Sequence, residues 1–140
     1  MSNPVILDTG PLVAMLDRAD MHHPWAVSQW AQLQPPMLTC EPVIAEACHL
    51  LRNEPRGGRA VMELIDRGIV QIAFRIDENI AALFQLLRKY ADVPMSLADA
   101  CLVCMAELQP AATVFTLDSD FRLYRKRNRQ VVPVLMPDNV

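Results

Sequence analysis

The segment Val5-Ile6-Leu7-Asp8-Thr9-Gly10-Pro11 gives the first indication of the fold. Its first three residues form a continuous apolar run rather than an alternating one. Such a run is typical of a strand inside a parallel sheet, where both faces are covered. Asp8 ends the run, and Pro11 suits the first turn of a helix, where its missing N–H costs nothing. We therefore predict a buried strand over 5–7, followed by a short helix through Leu16.

The rest of the chain repeats this order of strand and helix. Apolar runs at 37–39, 69–74, 113–116 and 131–135 predict further strands, and segments 24–33, 42–51, 60–67, 77–90 and 96–108 predict helices between them. Gly68 is placed to cap the helix that ends at Arg67. Strands that alternate with helices predict an α/β fold in three layers, with a central parallel sheet of about five strands flanked by helices.

Size and charge exclude several classes of protein. The chain has 140 residues, of which 52% are apolar and 21% charged, so we expect one globular domain over 1–140 rather than disorder. With a net charge of −3, any contact with a polyanion must be local or mediated by cations. No basic segment precedes the first apolar run, and no stretch is apolar enough to span a bilayer. We expect a cytoplasmic protein without contact to a membrane.

The cysteines favour buried thiols over a metal site. Cys101 and Cys104 have CxxC spacing, but they lie in an apolar helical run, whereas structural zinc sites usually place such pairs on turns. Cys40 and Cys48 form no second CxxC pair. We expect reduced thiols that pack as small apolar side chains.

Asp99 stands out because it is the only charged residue between Ala98 and Ala106, in the most apolar predicted helix. A buried, unpaired carboxylate costs several kcal/mol, so something must compensate it. The alternative is structural. Ser96 would then be the N-cap of this helix and Asp99 the third residue of a capping box, near the positive end of the helix dipole.

Asp8 and Asp118 each follow a predicted strand directly, and Asp120 comes two residues later. The carboxyl ends of parallel strands share one edge of the sheet, which is where ligands bind. We therefore expect these acids on one rim. Alternatively, they are turn residues or N-caps, which is common for Asp. Glu46 lies at the edge of the apolar face of its helix, and taken alone it would be a solvated flanking residue.

Carboxylates gathered on one rim repel one another strongly unless a cation neutralises them. Ligand sets made only of oxygen suit Mg²⁺ or Mn²⁺. A site with acids but no His or Cys indicates phosphate-ester chemistry, in which metal ions activate water and stabilise the leaving oxygen.

Four blocks of sequence carry a family resemblance. They are Val5-Ile6-Leu7-Asp8-Thr9, Pro42-Val43-Ile44-Ala45-Glu46-Ala47, Leu97-Ala98-Asp99-Ala100 and Thr116-Leu117-Asp118-Ser119-Asp120-Phe121. In this order and spacing they resemble the PIN-domain ribonucleases, many bacterial members of which are the toxins of VapC-type toxin–antitoxin pairs. The resemblance covers nearly the whole chain.

The resemblance implies an endoribonuclease that uses Mg²⁺ or Mn²⁺ to hydrolyse single-stranded or loop RNA, and a toxin neutralised by an antitoxin. By position it implies that Asp8, Glu46, Asp99 and Asp118 are both catalytic and metal-binding. It adds Asp120 as a further metal-binding acid. None of the matched acids is missing. Family habit also implies a homodimer, for which the amphipathic segment 77–90 is a candidate surface.

Thr116 matches the hydroxyl residue that stands beside the site in this family. The resemblance implies that it supports the site by holding a carboxylate in place.

A basic cluster follows the last two acids and is a candidate contact for an RNA backbone. Its members are Arg122, Arg125, Lys126, Arg127 and Arg129. The alternative is a solvated loop. His22 and His23 lie in a predicted loop, and the sequence assigns them no role. Trp25 and Trp30 are expected in the core or at a partner contact.

Two other functions stay open at this point. The first is a non-catalytic module that has the same fold and binds RNA or protein without cutting it; a lost acid would favour this function. The second is a metal-dependent phosphatase of the haloacid-dehalogenase type. That chemistry needs a second Asp two residues after the first, and position 10 is Gly.

Overall fold

The structure is a computed structural model that describes residues 3–140. Five strands are present: β1 (Val5–Leu7), β2 (Met37–Thr39), β3 (Val70–Ile72), β4 (Thr113–Phe115) and β5 (Val134–Leu135). Six α-helices connect them: α1 (Thr9–Leu16), α2 (His23–Trp30), α3 (Glu41–Leu50), α4 (Gly57–Asp66), α5 (Ile80–Lys89) and α6 (Leu97–Leu108). Short 3₁₀ helices lie at Ile76–Glu78, Ser119–Arg122 and Arg127–Arg129.

The strands form one parallel sheet in the order β3-β2-β1-β4-β5. This confirms the predicted α/β fold with a central parallel sheet flanked by helices in three layers. From β1 the chain builds outward to β3, then returns to β4 on the other side of β1. The order of strands therefore reverses between β1 and β4, and in such sheets that point opens a crevice for ligands.

Several predicted boundaries were wrong by a few residues, for local reasons. α1 begins at Thr9, two residues before Pro11, because the Asp8 side chain accepts a hydrogen bond from the Thr9 N–H and caps the helix there. The segment 77–90 divides into a 3₁₀ turn and α5, since Asn79 has non-helical dihedrals and its side-chain amide donates to the Arg75 carbonyl at 2.7 Å. Gly68 ends the helix before β3 with a φ of 74°, as predicted.

Other elements are shorter or longer than predicted. α2 ends at Trp30 instead of Leu33, and α4 begins at Gly57 instead of Ala60. β3 and β5 cover only the residues that hydrogen-bond to β2 and β4.

The core is built around α6 and β4. Every residue from Ala98 to Ala106 is buried, although one of them is Asp99. Trp25 and Trp30 pack their rings against Phe115 with centroid distances of 5.6 and 6.3 Å, so both tryptophans are half-buried side chains that pack against the core. Cys40, Cys101 and Cys104 are buried free thiols, and Cys48 is a half-buried one. No helix within residues 3–140 is long and apolar enough to cross a membrane.

Candidate functional site

A cavity of about 620 Å³ lies at the carboxyl ends of β1 and β4, where the order of strands reverses. It is lined by Asp8, Thr9, Gly10, Glu46, Leu50, Pro94, Ser96, Asp99, Leu117, Asp118, Ser119 and Asp120. The five acids singled out from the sequence are all in this set. Within the described part of the chain, none of the lining residues is Lys, Arg or His. The cavity thus concentrates negative charge without a basic side chain in its wall.

Asp8 connects the end of β1 to the start of α1. Its Oδ1 accepts a hydrogen bond from the Thr9 N–H at 2.7 Å, and its Oδ2 accepts one from the Thr116 hydroxyl at 2.7 Å. Burial raises the pKa of Asp8 to about 7, and the nearby charges of Asp99 and Asp118 add to this rise, while the two hydrogen bonds oppose it. Asp8 is therefore an N-cap through its Oδ1, as the structural alternative predicted. That role does not explain why four other acids line the same cavity.

Asp99 lies in the first turn of α6 and is 9% exposed, which confirms that it is buried. The Ser96 hydroxyl accepts a hydrogen bond from the Asp99 N–H at 3.0 Å, as in a capping box. The Oδ2 of Asp99 accepts a hydrogen bond from the Tyr124 hydroxyl at 2.8 Å. Burial raises the pKa of Asp99, the Tyr124 hydrogen bond lowers it, and the charge of Asp118 raises it. Asp99 is therefore both the third residue of a capping box and a buried acid, so the two interpretations do not exclude each other.

Thr116 connects two of the acids. Its buried hydroxyl donates to Asp8 and accepts a hydrogen bond from the Asp118 N–H at 2.9 Å. Asp118 in turn uses Oδ1 to accept from the Asp120 N–H at 2.9 Å, which caps the following 3₁₀ turn. Thr116 therefore fixes the Asp8 carboxylate relative to the backbone that carries Asp118. Its importance for catalysis stays a prediction.

Glu46 reaches the cavity from α3, the helix that follows β2. Its side chain is exposed, so it differs from the buried Asp8 and Asp99. The site thus combines two buried acids on one side with exposed and half-buried acids around them.

The chemistry of the donor set fits a hard divalent cation. The cavity offers five carboxylates, which are the ligands that Mg²⁺ and Mn²⁺ prefer. Burial raises the pKa values of Asp8 and Asp99, and repulsion by Asp118 raises them further; a bound cation would favour the ionised form of both acids. Among residues 3–140, however, no three His, Cys, Asp or Glu side chains already form a metal-binding cluster. The five carboxylates therefore suit a divalent cation by their chemistry and their charge, although their side chains are not already arranged around one metal position.

The basic cluster is less uniform than the sequence suggested. Lys126 is 9% exposed, and its ammonium donates to the Pro110 carbonyl at 3.3 Å, so it lies inside the fold rather than on a surface patch. Arg127 pairs with Glu107 at 3.0 Å. Arg129 is exposed.

Two further arginines of the cluster contact backbone. Arg122 donates to the Val140 carbonyl oxygen at 3.1 Å, and Arg125 donates to the Arg122 carbonyl at 2.7 Å. His22 and His23 do not line the cavity, and the Nδ1 of His23 lies 2.7 Å from the Ala14 carbonyl oxygen.

Sequence reasoning missed Tyr124, which contacts Asp99 from within the basic run. The one signal that could have found it is the spacing of Phe121 and Tyr124, two aromatic residues three apart among arginines. Such spacing is typical of one buried face of a helical turn.

Comparisons with known proteins agree with this fold. The family model of the PIN domain matches residues 5–127. Among solved structures, the chain is similar to VapC20 of Mycobacterium tuberculosis, described as a toxin that cleaves the sarcin-ricin loop. The match has a TM-score of 0.74 and 20% sequence identity, and it covers 83% of this chain and 91% of that one. No curated protein sequence matches the chain.

Proposed function

The chain belongs to the PIN-domain family, and we propose that it is a metal-dependent endoribonuclease that acts as a toxin and is neutralised by an antitoxin. The observation that carries the proposal is the cavity at the strand-order reversal, with five carboxylates and no basic residue in its wall. The fold that the chain shares with VapC20, a toxin described as cutting an RNA loop, supports the same activity. The proposed substrate is single-stranded or loop RNA, and the proposed functional unit is one domain over 1–140.

In this proposal Asp8, Glu46, Asp99 and Asp118 hold Mg²⁺ or Mn²⁺, and Asp120 contributes a further oxygen. Such an ion, when bound, would act as a Lewis acid that lowers the pKa of water and neutralises charge on phosphate oxygens. Asp8 must lose its proton before it can bind the ion, and its pKa of about 7 allows this near neutral pH.

We expect the acids of the cavity to repel RNA when no cation is bound. A phosphate that approaches five carboxylates meets only repulsion unless cations screen it. The exposed Arg129 is the candidate contact for the RNA backbone in this proposal. The acids would then act at the cleavage point, and the arginine would add affinity for the phosphates.

The phosphatase alternative meets a steric obstacle at position 10. A Cβ on Gly10 would lie 3.1 Å from the Cβ of Leu117, so a second Asp there would crowd the cavity wall. The non-catalytic alternative needs a lost acid, and all five are present. We therefore favour the nuclease over both alternatives.

The test is a cleavage assay with purified protein and a mixed, structured RNA. Wild type, Asp99→Asn and the surface control Asp92→Asn are compared with Mn²⁺ and with EDTA. Cleavage by wild type and Asp92→Asn, only with Mn²⁺ and lost in Asp99→Asn, is the expected result. Asp99→Asn should keep the fold, and relief of repulsion could raise its melting temperature. Full activity of Asp99→Asn, or cleavage in EDTA, would contradict the proposed site.

The proposed partners are an antitoxin and a second copy of the chain. The candidate dimer surface is α5, on which Ile80 is 47% and Phe84 60% exposed. Light scattering on the wild type and on Phe84→Arg tests the dimer. Two chains per particle are expected in the wild type and one in the variant; a monomeric wild type would remove this part of the proposal.

A further inference from the structure

Tyr124 is the largest fully buried side chain of the described residues, and its hydroxyl ends at an acid of the site. The phenol donates a hydrogen bond to Oδ2 of Asp99 over 2.8 Å. Burial and the charge of Asp99 both raise the pKa of Tyr124, so the phenol keeps its proton and remains a donor. A hydroxyl can orient a carboxylate in this way without neutralising it, whereas a Lys or Arg would compete with a cation for the charge.

The ring of Tyr124 is held on two sides by other rings. Its centroid lies 5.0 Å from that of Tyr90 and 5.1 Å from that of Phe121, both in edge-to-face geometry. The Tyr90 hydroxyl accepts a hydrogen bond from the Arg125 N–H at 2.8 Å, which ties the backbone next to Tyr124 to the end of α5. With its ring packed and its backbone tied, Tyr124 places its hydroxyl within a narrow range of positions.

Tyr124 also belongs to the segment that carries the last two acids. Its N–H donates to the Asp120 carbonyl at 3.2 Å, and Asp118 caps the turn that leads into it. The hydrogen bond to Asp99 therefore joins α6 to the segment that follows β4. These two parts of the chain bring acids to the cavity from different sides.

We infer that Tyr124 is a positioning residue that sets the distance and orientation of the Asp99 carboxylate relative to Asp118 and Asp120, and so prepares the acids to accept a divalent cation. The inference rests on the proposed function, because it concerns the ion that the proposed nuclease needs. Thr116 stands in the same relation to Asp8. The two hydroxyls thus hold the two most buried acids of the cavity.

The test compares Tyr124→Phe with Tyr90→Phe in the full chain. Each variant removes one hydroxyl from the same group of rings, but only that of Tyr124 contacts an acid. Mn²⁺ affinity is measured by electron paramagnetic resonance at a pH above neutral, and the melting temperature is measured in EDTA. Losing a residue that orients a metal ligand typically weakens binding or activity by about 10–100-fold. We expect a loss of this size for Tyr124→Phe and a much smaller one for Tyr90→Phe, which keeps the ring packing and the Tyr124 hydroxyl and loses only the contact with the Arg125 N–H.

A second measurement keeps the test valid if Tyr124→Phe is much less stable than the wild type. For each protein, the melting temperature is measured with and without added Mn²⁺, and the rise that Mn²⁺ produces is compared between the variants. Tyr124→Phe should show a smaller rise than Tyr90→Phe, even if both are less stable without metal. In cleavage assays kcat at limiting Mn²⁺ should fall while KM for RNA is unchanged, because the hydroxyl does not touch RNA in this proposal.

The outcomes separate the inference from the function on which it rests. Wild-type affinity in Tyr124→Phe, or an equal loss in both variants, would overturn the positioning role while a cleaving wild type keeps the proposed function. A wild type that neither binds Mn²⁺ nor cleaves RNA would overturn both. A loss of Mn²⁺ affinity that is much larger in Tyr124→Phe than in Tyr90→Phe would support the positioning role, and metal-dependent cleavage by the wild type would support the proposed function.

Discussion

Asp8→Asn should remove a pH-dependent loss of stability from the metal-free protein. The folded-state pKa of Asp8 is raised from 3.8 to about 7, so folding favours its protonated form. For a group of this kind, the contribution to stability is fully present below pH 3.8 and is lost as pH rises through about 7. Asparagine does not titrate. Its side-chain oxygen can still accept the hydrogen bond from the Thr9 N–H that caps α1.

The size of the effect follows from the two pKa values. Linkage between an unfolded pKa of 3.8 and a folded pKa of about 7 lowers the free energy of unfolding by about 2.6 kcal/mol from pH 5 to pH 8. Small proteins lose on the order of 2 kcal/mol of stability per molar urea. The corresponding shift of the urea midpoint is about 1.3 M. Because other groups titrate as well, the quantity of interest is the difference between wild type and Asp8→Asn.

The assay is urea unfolding in EDTA at several pH values from 5 to 8, followed by tryptophan fluorescence. Wild type should lose stability relative to Asp8→Asn as pH rises, while the exposed-site variant Asp92→Asn should follow the wild type. Saturating Mn²⁺ should reverse the trend, because a bound cation favours the ionised acid. Parallel pH profiles for wild type and Asp8→Asn in EDTA would refute a raised pKa at this position.

Three further predictions follow from the same structure. Mn²⁺ should bind about tenfold less tightly at pH 6 than at pH 8, because Asp8 must lose its proton first; titrations at both pH values check this, and equal affinities would contradict it. Arg129→Ala should weaken RNA binding and lower its salt slope by about 1. Lys126→Ala should lower the melting temperature with an unchanged slope, because that ammonium is buried; the reverse pattern would show a different RNA surface. Gly57→Ala should destabilise the fold by about 1–3 kcal/mol, because its Cβ would collide with the backbone carbonyl of Leu51, the residue that follows α3. Gly58→Ala meets nothing closer than 4.0 Å and should be neutral or stabilising in thermal melts, so equal losses would contradict this packing.

The sequence predicted the order of the elements well because each strand and helix carries its own local signal. The run Val5–Leu7 became β1 with the predicted bounds, and so did β2 at Met37–Thr39. Predicted boundaries were wrong where a single side chain determines them. For example, the Asp8 side chain caps α1, which begins at Thr9 instead of Pro11. The order of strands in the sheet carries no local signal, so the crevice between β1 and β4 became visible only in the fold.

The acids of the site could be predicted because a charge is conspicuous in an apolar helix or after an apolar strand. Of the two hydroxyl residues that hold them, Thr116 was predicted through the family resemblance and Tyr124 was missed. Neither contact has a local signal, because Tyr124 contacts Asp99 across 25 positions of sequence and Thr116 contacts Asp8 across 108. The prediction that Lys126 belongs to a basic surface cluster was wrong, because the charged residues around it gave no sign that it is buried. A charge run resembles a solvated loop, and nothing in the sequence shows that its ammonium reaches a carbonyl inside the fold.

The hydrogen bonds in the cavity orient its buried acids without neutralising them. Asp8 and Asp99 accept hydrogen bonds from hydroxyls and backbone N–H groups, which orient a carboxylate but carry no formal charge. The raised pKa of both acids shows that these donors do not compensate for burial and mutual repulsion. A fold selected only for stability would replace such acids with neutral side chains of the same shape. Buried acids held by neutral donors support the proposed cation site, because a bound cation would compensate the charge that these donors leave. The expected stability of Asp8→Asn and the expected metal affinity of Tyr124→Phe therefore depend on the same feature of the cavity.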